Sequence, residues 1–476
     1  MEKKDFNGKR VLLMGLGRFG GGVDVVKFAH KAGAKVTVTD LAGADKLADS
    51  LKQIEVLDGI EYHLGSHDKT DFEQADIIIA NPAIPDDNEF LQIARKNNKV
   101  VTCQINIFFE LCPATIIGIT GSNGKSTTTA LTAHLLRESK KYPPASALHP
   151  HDAISNKQHE SVWLTGNIGN EPFLCLLDKI KPNDLVVMEI SSFQIEQLAQ
   201  IRRMPKLALL TNLTPNHLDR YGTFEKYCAA KENIFKFQTL ETNNPAVSIF
   251  NADDPIANKW FEKYKEDRGR TCIRFSASET SSEIKKHYQL PGWANLQNLA
   301  ASLSIVRRLG ITDEQIKKAL PNFKALPHRL ELVGEKNGVR WFNDSKATTP
   351  ESTIVALQAF DNPIVLIAGG YDKHIPFDTL GVEIAKRAKA AILIGQTAQK
   401  IYDSIQSAKK HLAPQFIGGL QTEVVITNSM EQAVKTAKTL AISGDVVLLS
   451  PACASYDMFE NYVHRGNEFA RLVKEL

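Results

Sequence analysis

Two glycine-rich turns are placed where backbone N–H groups could hold phosphate oxygens. The first, Gly15-Leu16-Gly17-Arg18-Phe19-Gly20, follows the apolar run 10–14 and fits G-x-G-x-x-G, with Asp40 closing a second run, "KVTVTD". Such a turn lets the backbone approach a diphosphate at a helix N-terminus, and the acidic residue takes a ribose hydroxyl. The fingerprint leaves open whether the ligand is NAD or another nucleotide. The second turn, Gly121-Ser122-Asn123-Gly124-Lys125-Ser126-Thr127, lies between the strand-like "TIIG" and a helical run. A strict G-x-x-x-x-G-K-[ST] fails at Ile119, yet the mechanics survive. Loop N–H groups cup the phosphates, Lys125 reaches the β and γ oxygens, and the Ser126 hydroxyl suits Mg²⁺. A dehydrogenase has no need of an ATP loop, so two such turns in one chain shift the weight away from NAD.

The elements around these turns read as α/β. Strand-like runs "RVLLMG", "KVTVTD", "ADIIIANP" and "KVVTC" alternate with helical stretches. A second set holds "TIIGIT", "DLVVMEI" and "LALLTNL", and a third "PIVLIAGG", "AAILIG", "EVVIT" and "GDVVLLS". A length of 476 residues suits about three domains. The expectation is a Rossmann-like domain at 1–112, a P-loop ATPase-like domain at 113–326 and a second Rossmann-like domain at 327–476. The polar, turn-rich stretch 139–160 reads as an exposed loop.

A net charge of +3 is too small for a nucleic-acid surface. Six cysteines without a C-x-x-C pair argue for reduced thiols rather than a disulfide framework or zinc site. No run of 18 apolar residues occurs. These features predict a cytoplasmic protein with small anionic substrates, no nucleic-acid partner and no membrane partner.

Further motifs follow in order: "TGNIG" (165–169), "MEISSFQIE" (188–196), "NLTPNHLDRYGTFEKYCAAKENIF" (212–235), "PHRLELV" (327–333), "NDSKATTPEST" (343–353) and "SPACASYDMFENYVHRGNEF" (450–469). With "GSNGKST", they resemble the Mur ligase family, the ATP-dependent amide-forming enzymes of peptidoglycan assembly. The "NDSKAT" and "SPACAS" stretches most resemble its D-glutamate-adding branch. The likeness implies a monomer acting on UDP-N-acetylmuramoyl-L-alanine, D-glutamate and ATP, with two Mg²⁺ ions and a lysine carbamate formed with CO₂. It recasts the first turn as a UDP cradle of Gly15, Gly17, Arg18, Phe19 and Asp40, joined by Asn167.

The resemblance also implies roles for individual residues. ATP would meet Gly121 to Thr127, Asn298, Arg329 and Asp344. Catalysis would fall to Lys125, Glu189, His217, Lys231 and Lys346, with Ser126, Glu189, His217 and the Lys231 carbamate as metal ligands. D-glutamate would meet Lys346, Thr348, Lys373, Ser455 and Tyr462. The chain departs from the family pattern at Asn216, where Asp is frequent, at Ala294 in place of His, and at Tyr462 in place of Phe. Read from composition alone, Lys231 would be a solvated surface lysine.

Overall fold

The computed structural model describes residues 1–18, 20–140, 160–168, 172–411 and 422–476. Phe19 and most of the expected 139–160 loop therefore lie outside the described residues. The described residues form three α/β sheets. The first contains β1 (Arg10–Met14), β2 (Lys35–Asp40), β3 (Glu61–Leu64), β4 (Ile77–Ala80) and β5 (Val100–Cys103), in the order β3-β2-β1-β4-β5 and parallel throughout. The second, also parallel, contains β6 (Thr115–Thr120), β7 (Val162–Gly166), β8 (Leu185–Glu189), β9 (Leu207–Leu210), β10 (Ala246–Asn251) and β11 (Arg270–Phe275). Its order is β11-β10-β9-β6-β8-β7.

The third sheet contains β12 (Glu331–Lys336), β13 (Val339–Asn343), β14 (Ile364–Ala368), β15 (Ala388–Leu393), β16 (Glu423–Ile426) and β17 (Val446–Leu449), in the order β12-β13-β17-β14-β15-β16. Its β12–β13 edge is antiparallel, and neither strand is among the apolar runs read from the sequence. The cause is local. Asn337 (φ 52°) and Gly338 (φ 75°) both take positive φ, which makes a tight hairpin whose twist suits its strands.

Helices on both faces explain the uninterrupted apolar character of the parallel strands. β4, β8 and β9 are buried at every residue, as strands covered on both faces must be. The described chain divides into two compact units, Met1–Glu279 with Asn298–Ala319, and Thr280–Gln297 with Leu320–Leu476. Within the first unit, one hydrophobic cluster runs from Phe6 and Phe28 through Phe108 and Phe173 to Phe250 and Trp260. The two sheets of that unit thus share a core. No helix among the described residues is long and apolar enough to cross a membrane.

Candidate active site

Ligand sites of parallel sheets gather at the C-terminal ends of the strands, and the candidate residues of the first unit lie there. β6 ends at Thr120, and the loop 121–124 leads into the helix Lys125–Ser139. Gly124, the N-cap, has φ 80°, and a Cβ there would lie 2.1 Å from Asn298 Oδ1. Glycine is therefore favoured there, and the Asn298 side chain abuts the loop. Asn298 Oδ1 also accepts from Thr128 Oγ1 at 3.2 Å. Lys125 Nζ donates to the carbonyls of Gly121 (3.0 Å) and Ser122 (2.8 Å), folding over the loop. Asn123 is held by its backbone N–H to Asn212 Oδ1 at 2.9 Å. Ser126 and Thr127 occupy the first turn of the helix, whose N-terminus attracts anions through unpaired N–H groups and the helix dipole.

Glu189 ends β8 and is 2% exposed. One oxygen accepts from Asn167 Nδ2 at 3.2 Å, while Oε2 is buried with no hydrogen-bond partner among the described residues. Asn167, expected at the UDP-linked substrate, thus also orients Glu189, and its backbone N–H donates to the Glu189 carbonyl. An unpartnered buried carboxylate oxygen is costly unless a cation or donor completes it. No cluster of three or more His, Cys, Asp or Glu side chains suited to a metal exists among the described residues. This donor set suits Mg²⁺, which keeps several waters and binds through one or two carboxylates and substrate phosphates.

Lys231 lies on the helix Phe224–Lys236, which Thr223 caps by accepting from the Lys226 N–H. Tyr227, Lys231, Ile234 and Phe235 follow helical spacing and are all buried, so the lysine belongs to the apolar stripe. It is not the surface residue that composition suggests: its exposure is 1%. Its Nζ donates to Thr120 Oγ1 at 3.2 Å and lies 5.1 Å from the Tyr227 ring centroid. Burial holds the amine well below the usual lysine range, and the Lys125 charge pushes the same way against the opposing pull of Glu189.

His217 takes φ 52° at the start of the short helix Leu218–Tyr221. Its ring packs against Phe193 (5.0 Å between centroids) and Tyr227 (6.4 Å). Partial desolvation against these rings lowers the pKa of the still solvent-exposed imidazole, opposed by Asp219 and reinforced by Lys125, Lys231 and Arg220. A neutral imidazole keeps a lone pair for a metal.

In the first sheet, Gly15 and Gly17 follow β1, and Asp40 ends β2. The Asp40 oxygens already accept from the backbone N–H groups of Gly17 (3.1 Å) and Ala42 (2.8 Å). The carboxylate braces the turn as well as being available to a hydroxyl. Arg18 is exposed beside it.

The second unit gathers the remaining candidates. Asp344 accepts from Ser450 Oγ (2.9 Å) and the Leu330 N–H (3.2 Å); burial raises its carboxyl to about 7 against the opposing effects of these bonds and Arg329. Lys346 Nζ lies 5.0 Å from the Tyr462 ring centroid, so the aromatic face at this position carries a cation. Ser455 is buried, Thr348 partly buried and Lys373 exposed. A bridge between Tyr371 and Ala454 sets the Lys373 turn beside the Ser455 segment.

Arg465, which no sequence motif marks as functional, is fully buried. It donates to Ser345 Oγ (3.0 Å), the Ser345 carbonyl (2.8 Å) and the Ala454 carbonyl (3.2 Å). It thereby ties the Lys346 loop to the Ser455 loop. Tyr227 and Thr120 likewise carry no motif of their own. Only the four-residue spacing between Tyr227 and Lys231 pointed to the first of them.

Comparison with known proteins covers nearly the whole chain. Residues 9–103 match the Mur ligase MurD-like N-terminal domain, 119–306 the Mur ligase middle domain, and 328–453 the Mur ligase glutamate ligase domain. The chain is 38% identical over 493 residues to a UDP-N-acetylmuramoylalanine–D-glutamate ligase of Roseiflexus sp., covering 98% of each. It is 35% identical to the enzyme of that name from Acetivibrio thermocellus, covering 100% of this chain and 98% of that one. Among solved structures, UDP-N-acetylmuramate-alanine ligase MurC from Thermotoga maritima shares the fold at 18% identity. Its TM-score is 0.57, over 98% of this chain and 99% of that one.

Proposed function

The chain belongs to the Mur ligase family, and on that premise we propose that it joins the amine of D-glutamate to the alanyl carboxylate of UDP-N-acetylmuramoyl-L-alanine, with ATP as co-substrate. The observation that carries the choice of D-glutamate is the likeness to D-glutamate ligases along 98% of the chain. In this reading residues 1–112 hold the UDP end, 113–326 hold ATP, and 327–476 bring D-glutamate. The protein acts as a monomer in the cytoplasm.

The chemical problem is electrostatic. A carboxylate oxygen must attack the γ-phosphorus while the bond to ADP breaks, which brings two anions together. Such a contact costs ~4 kcal/mol at 4 Å with an effective dielectric near 20, so cations must crowd the site. Lys125 neutralises the phosphate as charge shifts toward ADP. Arg329 holds phosphate and Asp344 ribose, while Asn298 fixes the loop. Lys346 balances the acyl phosphate. Lys373, Thr348, Ser455 and Tyr462 hold the carboxylates of D-glutamate by charge-assisted hydrogen bonds and packing. The neutral amine then attacks the acyl carbon, phosphate leaves, and the amine gives up a proton. Ser126, Glu189, His217 and Lys231 as its carbamate would hold two Mg²⁺ ions, which would supply positive charge to the phosphate oxygens. The UDP end rests on Gly15, Gly17, Arg18, Phe19 and Asp40, with Asn167 toward the sugar.

Phosphate release measured with UDP-N-acetylmuramoyl-L-alanine and ATP, crossed against D-glutamate, L-glutamate, meso-diaminopimelate and L-lysine, tests this. Release should require D-glutamate. Release driven by one of the other three would assign a different amide ligase, and none with any amino acid would refute the proposal.

A further inference from the structure

The precursor must span two sheets, the UDP end at the first and the reacting carboxylate at the second, so their register sets how the carboxylate meets the phosphate. At one place along the joint the sheets are pinned firmly. The buried Asp24 carboxylate accepts from the backbone N–H groups of Phe173 (3.0 Å), Leu174 (2.8 Å) and Cys175 (3.0 Å), and from Gln104 Nε2 (2.7 Å). Elsewhere along the joint lies a cavity of about 260 Å³, bordered by Pro82, Asp86 and Arg95 from the first sheet and by Phe193, Gln197 and Arg220 from the second. Close packing cannot set the register across an open space.

Arg220 crosses it. Its guanidinium lies 4.1 Å from the Phe193 ring centroid, donates to Glu196 Oε2 (3.3 Å), and reaches the Pro82 carbonyl (3.4 Å). A single bond from Gln200 to Asp86, 3.3 Å long, crosses beside it. Both ends of the Arg220 span lead to the candidate site. Pro82 follows Asn81, whose Nδ2 donates to the Gly15 carbonyl at 3.3 Å in the expected UDP turn. Phe193 also packs against His217, three residues before Arg220 on the chain. One aromatic ring therefore contacts both the guanidinium and the imidazole.

We propose that Arg220 is a positioning residue that registers the UDP turn of the first sheet against His217 and the phosphate loop of the second. This rests on the function proposed above. An exposed Arg–Glu pair alone would contribute ~0–1 kcal/mol and would not affect substrate use. The contacts with Phe193 and Pro82 do not depend on Glu196, and they distinguish the two roles.

Steady-state kinetics of Arg220→Ala, Arg220→Lys and Glu196→Gln, with calorimetric binding of UDP, form the test. In Arg220→Ala, kcat/KM for UDP-N-acetylmuramoyl-L-alanine should fall about 100-fold, the scale of a small misplacement at the reacting centre. The KM for ATP and the affinity for UDP alone should stay within about twofold. Arg220→Lys, which keeps a cation and a donor but loses the planar stack, should recover part of the loss. Glu196→Gln should stay within about threefold of wild type. The proposal is overturned if Arg220→Ala leaves precursor use within threefold, or if it depresses ATP and precursor use alike together with the thermal midpoint. Wild-type protein that released no phosphate would instead refute the functional reading.

Discussion

Replacing Lys231 with Ala should lower kcat/KM by about 10³-fold or more, the scale seen when a transition-state electrostatic partner is removed. The argument starts from burial. A lysine that is 1% exposed, near the Lys125 charge and with only the Thr120 hydroxyl as hydrogen-bond acceptor among the described residues, has its amine held well below the usual range. A neutral amine can capture CO₂: the N–C bond forms, one proton leaves, and a buried neutral amine becomes a bidentate anion. That anion would stand near Lys125, on the strand-end side where Glu189 leaves an oxygen unpartnered. Formate or acetate should restore part of the activity of the alanine variant. Wild-type protein equilibrated with ¹³CO₂ should give a carbamate signal that the variant lacks. A fully active alanine variant would contradict this role.

Lys125→Met should cost about 10²- to 10³-fold in kcat/KM and should also change the pH profile. The Lys125 charge depresses the pKa values of both Lys231 and His217. Removing a neighbouring cation makes the protonated form of each easier to keep, so both pKa values rise. His217 acts in its neutral form and Lys231 must be neutral to take up CO₂, so activity should fall away at a higher pH in the variant as the solution is acidified. The check is kcat/KM against pH from about 6 to 10. A uniform loss at every pH, or a limb displaced to lower pH, would contradict the coupling.

The parallel sheets and the phosphate loop were legible because their signals are local. β4, β8 and β17 are short, continuous apolar runs, and Gly124-Lys125-Ser126 stands between a strand and a helix. The antiparallel edge of the third sheet was also written locally, in Asn337-Gly338, but the flanking "ELVGEK" and "VRWFN" are too polar to stand out as a buried pair. Lys231 needed more than composition. Its burial follows from sharing a helical stripe with Tyr227, Ile234 and Phe235, which only the 3.6-residue period exposes. Asp24, Arg220 and Arg465 were beyond reach, because their partners lie far away in sequence. Asp24 meets Phe173, Arg220 meets Pro82, and Arg465 meets Ser345. No local pattern marks such pairs, and a lone charged residue on an amphipathic segment reads as solvated until the fold is known.

The central claim is that the precursor carboxylate is activated by phosphorylation before the amine attacks. Transfer of isotope tests this most directly. UDP-N-acetylmuramoyl-L-alanine labelled with ¹⁸O in its alanyl carboxylate is turned over with ATP and D-glutamate, and the released phosphate is examined by mass. The account predicts one labelled oxygen in each phosphate from a fully labelled carboxylate, with release dependent on the precursor. Unlabelled phosphate accompanying amide formation would contradict it.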